Sequence, residues 1–246
     1  MRSRSFEGAA YPAEFFASGG SSLDPRVVEA AGGVSGSRLL HLMCSTGEET
    51  LSWSVLGAVA TGVDISPRQV ELAAAKAGAA GLDTRFVAAD ICALPAGFGD
   101  GAFDIVYTAS GVLVWIPDVA RWARVIAHAL RPGGRLILFE EHPVSMCLSG
   151  EGGRIEIVDD YFDTGHAIES GGWSHFEGAD DAQETSYEFG WTLGDIVTSL
   201  AGAGLRIDRL TEYPSEAVWR FGDALEAARR LPGRYLLIAS REGQAL

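Results

Sequence analysis

The sequence predicts an α/β domain: a doubly wound, seven-stranded, mostly parallel sheet whose last strand runs antiparallel. Three observations predict it. From Arg38 onward short apolar runs alternate with helical patterns, the signature of a parallel sheet covered by helices on both faces. The helical stretches carry their own start and stop residues. Finally, 246 residues with 47% hydrophobic and 21% charged side chains suit one large globular domain with elaborations.

Taken in order, RLLHLM (residues 38–43) is the first strand, GEETLSWSVLGA (47–58) the first helix and VATGVD (59–64) the second strand. The next helix is bounded closely: Ser66 can cap it, Pro67 fits its first position, Gln69 completes a capping box and Gly81 ends it. TRFVAAD (84–90) and FDIVYTAS (103–110) follow as strands, then the helix DVARWARVIAHAL (118–130). RPGG (131–134) turns the chain into RLILFEEH (135–142), a continuous buried-strand pattern. Residues 144–190 break the rhythm with Gly pairs, scattered aromatics and no sustained period, which reads as an insertion covering something. Regular structure resumes at TLGDIVTSLAGAG (192–204), where Thr192 and Asp195 form a plausible capping box and Gly204 a stop. LRIDRLTEYP (205–214) and RYLLIAS (234–240) complete the sheet. The organisation expected is therefore an N-terminal cap (1–34), a cofactor-binding core (35–143), an inserted lid (144–190) and a closing helix with two strands (191–246).

Charge narrows the function. Nineteen basic against 33 acidic residues leave −14, which disfavours a phosphate backbone or an anionic membrane as partner. Residues 151–190 hold eleven acids and one base, so this stretch alone supplies −10 of the total. A run of this kind is usually a solvated face, yet over an insertion it also fits a cationic amine acceptor. The three cysteines stand 48 and 55 residues apart, without the short spacings of zinc sites or small disulfide scaffolds. No metal is expected. No stretch has signal-peptide or membrane-spanning character, so a cytoplasmic protein, monomeric or homodimeric, is the expectation.

In a doubly wound sheet, ligands lie beyond the carboxyl ends of the strands. The loop after the first strand, MCSTGE (43–48), is a turn of small residues that opens a helix, suited to a polar ligand head. A dinucleotide fingerprint would need three glycines, whereas only Gly47 is present, and Glu48 and Glu49 in the first helical turn would repel a pyrophosphate. A nicotinamide-dependent oxidoreductase is thus disfavoured. Asp64, at the end of the second strand, can accept both hydroxyls of a ribose, or serve only as a turn residue. Asp90 ends the third strand, where it could take an exocyclic amine while Ile91 packs on a purine face.

Together these residues resemble the class I S-adenosylmethionine-dependent methyltransferases, in particular a branch whose first motif reads HLxC..G..TLS, here HLMCSTGEETLS (41–52). The similarity continues through TGVDISP (61–67), FVAAD (86–90), FDIVY (103–107), WIPD (115–118) and LRPGGR (130–135). It implies S-adenosylmethionine as cofactor and the Rossmann-like methyltransferase fold. By resemblance, the cofactor residues are His41, Met43, Cys44, Ser45, Gly47, Thr50, Asp64, Ile65, Asp90, Ile91 and Ser110, with the loop from Met43 to Gly47 around the methionine part, Asp64 on the ribose hydroxyls, Asp90 and Ile91 at adenine, and Ser110 with its neighbours beneath the sulfonium. The chain departs from the broad family at His41, where Asp or Glu is usual, and at Met43 and Ser45, where glycines are usual.

Methyl transfer is an in-line displacement at an already activated carbon, so positioning dominates and no fixed catalytic set is demanded. Where the acceptor must lose a proton, His142 after the fifth strand is the first candidate base, with the alternative that it only shapes the chain's exit. Trp115, Tyr161, Trp173, His175, Tyr187 and Tyr11 are candidate contacts to a small-molecule acceptor, each of which could instead be a packing residue. The same motifs would serve an enzyme that cyclises its substrate or moves the aminobutyrate group.

Overall fold

The computed structural model describes residues 11–170 and 186–243. In chain order the elements are α1 (Ala13–Ala17), α2 (Pro25–Ala31), β1 (Arg38–Leu42), α3 (Glu48–Val55), β2 (Val59–Asp64), α4 (Pro67–Ala80), β3 (Arg85–Ala88), β4 (Phe103–Ala109), α5 (Val119–Ala129) and β5 (Leu130–Glu141). There follow α6 (Pro143–Met146), β6 (Leu148–Glu151), β7 (Arg154–Ile157), β8 (Ala167–Ser170), β9 (Ser186–Phe189), α7 (Leu193–Gly202), β10 (Leu205–Pro214), α8 (Val218–Phe221), α9 (Leu225–Ala228) and β11 (Pro232–Arg241). Seven strands form one sheet in the order β10-β11-β5-β4-β1-β2-β3. Only β11 runs against its neighbours, pairing antiparallel with both β5 and β10. From β1 the chain winds outward through β2 to β3, then returns to place β4 on the other side of β1. The order therefore reverses between β1 and β4, which opens a crevice at their carboxyl ends.

Alternation along the strands explains why helices cover both faces. Leu40, Leu42, Leu136 and Leu138 face Trp122 and Ile126 of α5 and Ile196 and Leu200 of α7. Their immediate neighbours Leu39, Ile137 and Phe139 face Trp53 of α3 and Val27 of α2. A side-chain period of two with both sets buried needs a layer on each side. Caps fix the helix starts, with Ser66 accepting from Gln69 N–H on α4 and Thr192 making the reciprocal box with Asp195 on α7. The strand expected from Arg135 begins earlier, at Leu130, which pairs with Phe103 across a register shift. Gly134 lies in this irregular stretch, where a Cβ would sit 2.9–3.1 Å from three backbone oxygens.

The insertion contains local order that its sequence did not announce. Among the described residues, β6 with β7 and β8 with β9 form two separate antiparallel ribbons. Largely open to solvent, they bury no continuous face and so carry no alternating pattern. The ribbon β8–β9 leans on the turn Leu113–Trp115 after β4, and Trp191 Nε1–H donates to the Ile116 carbonyl at 2.8 Å. The insertion is thereby tied to the loop at the crevice. No helix among the described residues is long and apolar enough to cross a membrane.

Candidate functional site

The crevice is built from strand tips with an unusual backbone. Met43, Ser45, Ser110 and Asp100 are the non-glycine residues of the described chain with positive φ, at 58°, 48°, 68° and 58°. Three of the four stand at the tips of β1 and β4. Left-handed backbone costs an ordinary side chain about 1–2 kcal/mol, and such residues persist only where their surroundings enforce the conformation. At the β1 tip the enforcement is visible: Cys44 N–H bonds to Val63 O at 2.9 Å, Ser45 N–H to Asp64 Oδ2 at 2.8 Å and Gly47 N–H to Cys44 O at 2.9 Å. The loop thus keeps the left-handed backbone of a glycine turn while carrying side chains at Met43 and Ser45.

The residues expected around the cofactor divide into two groups. Ser45, Ile65, Asp90 and Ser110 are exposed, and Met43 and Asp64 are half-buried at the rim. His41, Cys44, Gly47, Thr50 and Ile91 lie beneath, shaping the loops from within. Gly47 has a packing reason for its identity, since a Cβ there would meet the Phe86 ring at 2.7 Å and Ala73 at 2.8 Å. Ile91 belongs to the core cluster with Val63 and Leu42. Ile65, by contrast, is an apolar side chain that the described residues leave 71% exposed at the β2 tip.

Asp64 accepts from Ser45 N–H on Oδ2 and from Ser66 N–H, at 2.9 Å, on Oδ1. An ionised carboxylate has about four acceptor positions, so each oxygen keeps capacity for a ligand hydroxyl. Asp90 Oδ1 caps the following turn through Cys92 N–H at 2.8 Å. Glu48, at the start of α3, accepts from Thr46 Oγ1 at 2.7 Å and pairs with Lys76, the chain's single lysine. The acid therefore stays at that helix start, where a pyrophosphate would otherwise sit.

His41 is buried with Nδ1 2.8 Å from Thr50 Oγ1, its ring 4.9 Å from that of Tyr107 and its Nε2 3.9 Å from Glu49 Oε2. Burial pushes its pKa down to about 3, so it is neutral at working pH. Folding depresses this group below its unfolded value of about 6.5, so its contribution to stability is complete above that value. It is lost as pH falls toward 3. Between pH 7 and pH 4 the loss amounts to roughly 3 kcal/mol. The stability gap between wild type and His41→Asn in urea unfolding is therefore expected to narrow by that amount at pH 4; an unchanged gap contradicts a neutral His41.

His142 caps α6. Its Nδ1 accepts from Val144 N–H at 3.1 Å, which places the ring proton on Nε2. Nε2 lies 2.9 Å from Glu212 Oε1, off the line of a good hydrogen bond. Burial lowers the pKa, only partly offset by Glu212. In this tautomer neither nitrogen offers a lone pair to a substrate proton. Glu141 is held by Arg234 at 2.6 and 2.9 Å.

The expected acceptor contacts are dispersed. Trp115 is half-buried in the turn beneath the β8–β9 ribbon. Tyr161 Oη accepts from Leu193 N–H at 3.1 Å, anchoring the insertion on α7, and Tyr187 is exposed on β9. Tyr11 stacks with Phe15 and Phe16 against α3 and α4. Trp173 and His175 lie outside the described residues. Val144, Cys147, Leu148, Ile157, Val158, Tyr161 and Phe162, with Asp159 and Asp160, line an open cleft of about 510 Å³ just past the end of β5. Among the described residues no cluster of three or more His, Cys, Asp or Glu could hold a metal ion.

Sequence reasoning passed over Glu140, an acid buried within the apolar strand run LILFE. A charge inside such a run is itself the signal, because it must find partners.

Part of the chain is similar in sequence, and most of it in fold, to known proteins. Residues 40–138 match the family described as "Methyltransferase domain". A demethylmenaquinone methyltransferase of Thermus thermophilus is 38% identical over 120 residues, 48% of this chain and 53% of that protein. A 27-O-demethylrifamycin SV methyltransferase of Amycolatopsis mediterranei is 39% identical over 107 residues, 42% of this chain and 38% of that protein. The chain thus spans about half or less of the length of these curated relatives. A solved S-adenosylmethionine-dependent methyltransferase from Mesorhizobium loti superimposes with a TM-score of 0.67 at 26% identity, covering 88% of this chain and 96% of that one.

Proposed function

We propose, from the premise that residues 40–138 are a class I S-adenosylmethionine-dependent methyltransferase domain, that the protein transfers the methyl group to a small-molecule acceptor seated beneath the insertion. The observation that carries this reading is the pair at the β2 tip. A carboxylate with spare acceptor positions stands beside an isoleucine that the described residues leave 71% exposed. The residues fit the cofactor: Asp64 for a sugar diol, Oδ2 of Asp90 for an exocyclic amine and Ile65 for one face of a purine. When bound, S-adenosylmethionine supplies a methyl group already activated by its cationic sulfur.

The chain's own part is positioning. Asp64 and Ile65 hold the nucleoside, the loop 43–47 shapes the space for the methionine part, and Ser110 marks the floor at the β4 tip. Trp115 and the β8–β9 ribbon above it limit access of water. His142 serves as the cap of α6. An acceptor amine that arrives as a cation first gives one proton to water at the mouth of the open cleft and then attacks the methyl carbon with the freed lone pair, so no base held by the protein is needed.

The acceptor we infer has an apolar body and a cationic amine. Support comes from the apolar lining of the cleft past β5, from Asp159 and Asp160 at its wall, and from the −10 charge over residues 151–190. The two curated relatives are named for small acceptors, a demethylmenaquinone and a demethylrifamycin. The test is mass spectrometry of an acceptor panel incubated with S-adenosylmethionine. Products heavier by one methylene, formed with S-adenosylhomocysteine, are expected. Amines are expected to outrank their neutral isosteres by roughly tenfold in kcat/KM, with the advantage shrinking as salt is raised. Release of another cofactor fragment contradicts methyl transfer, and equal rates for charged and neutral acceptors contradict the cationic class.

A further inference from the structure

Glu140 is 3% exposed near the end of β5, and among the described residues no cation pairs with it. Backbone amides take that place. Gly111 N–H reaches both carboxylate oxygens at 2.9 and 3.0 Å, Val112 N–H reaches Oε1 at 2.7 Å and Glu141 N–H reaches Oε2 at 3.0 Å. Ser110 and Gly111 are consecutive left-handed residues, with φ of 68° and 85°. A turn of this kind aims successive N–H groups at one point, forming a concave anion cradle. A Cβ on Gly111 would meet nothing within 4 Å, so the fold does not demand this backbone for lack of space. What occupies the cradle is the protein's own carboxylate.

We propose that Glu140 is a positioning residue for the cofactor: by drawing the Gly111 and Val112 amides inward it fixes the turn that presents Ser110 outward at the β4 tip. The inference rests on the site reading given above, in which the cofactor lies over that tip. The groups facing Glu140 are Glu141 on its own strand, tied to Arg234 of β11, and two buried phenols, Tyr235 of β11 and Tyr107 of β4. No side chain of residues 110–112 is charged. Burial pushes the Glu140 carboxyl up to about 7, opposed by the three amide bonds. Protonation removes the charge that holds the cradle, so cofactor affinity falls as pH drops through neutrality.

The experiment is calorimetric titration of S-adenosylhomocysteine into wild type and Glu140→Gln between pH 6 and 8.5. The amide of glutamine has the same shape but turns a donor toward N–H groups. Wild-type affinity is expected to rise roughly tenfold across the range, and the variant to bind at least about tenfold more weakly at pH 8 with a flat profile. In turnover the variant's loss is expected in KM for the cofactor rather than in kcat. Should Glu140→Gln fail to fold, the wild-type profile decides, together with Gly111→Ala, which keeps the acid but disfavours the turn and is expected to bind weakly while remaining pH-dependent. A wild type that binds with a flat profile, or a folded Glu140→Gln that matches it, overturns this inference alone. A wild type that binds no S-adenosylhomocysteine at any pH overturns the site reading and this inference with it.

Discussion

Replacing Asp64 by alanine is expected to weaken binding of S-adenosylhomocysteine by roughly 100-fold, because two hydrogen bonds from ribose hydroxyls to a carboxylate are lost at about 1.5 kcal/mol or more each. The same substitution strips the acceptor from Ser45 N–H and Ser66 N–H, one holding the left-handed loop and the other lying at the start of α4. A fall in folding stability of about 1–2 kcal/mol is expected alongside, since both amides sit near water and are partly recompensed. Asp64→Asn separates the two effects. It keeps an acceptor oxygen for one amide but loses the charge, so its affinity is expected between those of wild type and alanine, with most of the stability restored. Calorimetry at fixed pH and salt, with urea unfolding of each variant, reads both quantities.

Ile65→Asp is the second large effect and the cleaner one. The side chain is 71% exposed, so folding gains little from it and a surface change there stays within about 0.5 kcal/mol. If the purine lies against it, binding buries most of an isoleucine, which is worth about 2 kcal/mol. The new carboxylate also stands beside Asp64, with a desolvation cost of its own. A loss of roughly 100-fold in affinity with an unchanged melting temperature is expected. A variant that loses affinity only in proportion to lost stability, or one that binds like wild type, contradicts the placement of the purine. The combination of a large binding effect with none on folding is what distinguishes a ligand contact from a core residue.

The sheet was legible in the sequence because its central strands β1, β4, β5 and β11 are buried on both faces. Runs such as RLLHL and RLILFE could not be solvent-facing, and Ser66, Thr192 and Gly81 punctuate the helices where the structure places their ends. The acid closing β2 was legible for the same reason: once the strand is placed, its last residue is at the crevice. What the sequence withheld lies where burial and period part company. The ribbons β6–β7 and β8–β9 leave most of their side chains in solvent, so neither face imposes alternation. Conformation was hidden as well. Nothing in the letters M, S and S at positions 43, 45 and 110 announces a left-handed backbone, which hydrogen bonds from distant residues enforce at the β1 tip. His142 stood in the right stretch of chain for a base, yet its ring is engaged by Val144 and directed toward Glu212 of β10, a partner 70 residues away in sequence. Glu140 was hidden because it adjoins Glu141 and His142, and three polar residues in a row read as the solvent-facing end of the strand.

The account stands on Asp64 holding the cofactor's sugar, and a double cycle measures that contact directly. S-adenosylhomocysteine and its 2′-deoxy analogue are titrated into wild type and Asp64→Ala, giving four affinities. If the carboxylate bonds to the hydroxyl, removing the hydroxyl costs wild type at least about tenfold and costs the alanine variant almost nothing, a coupling of about 1.4 kcal/mol or more. Equal losses in the two proteins would mean that the sugar lies elsewhere.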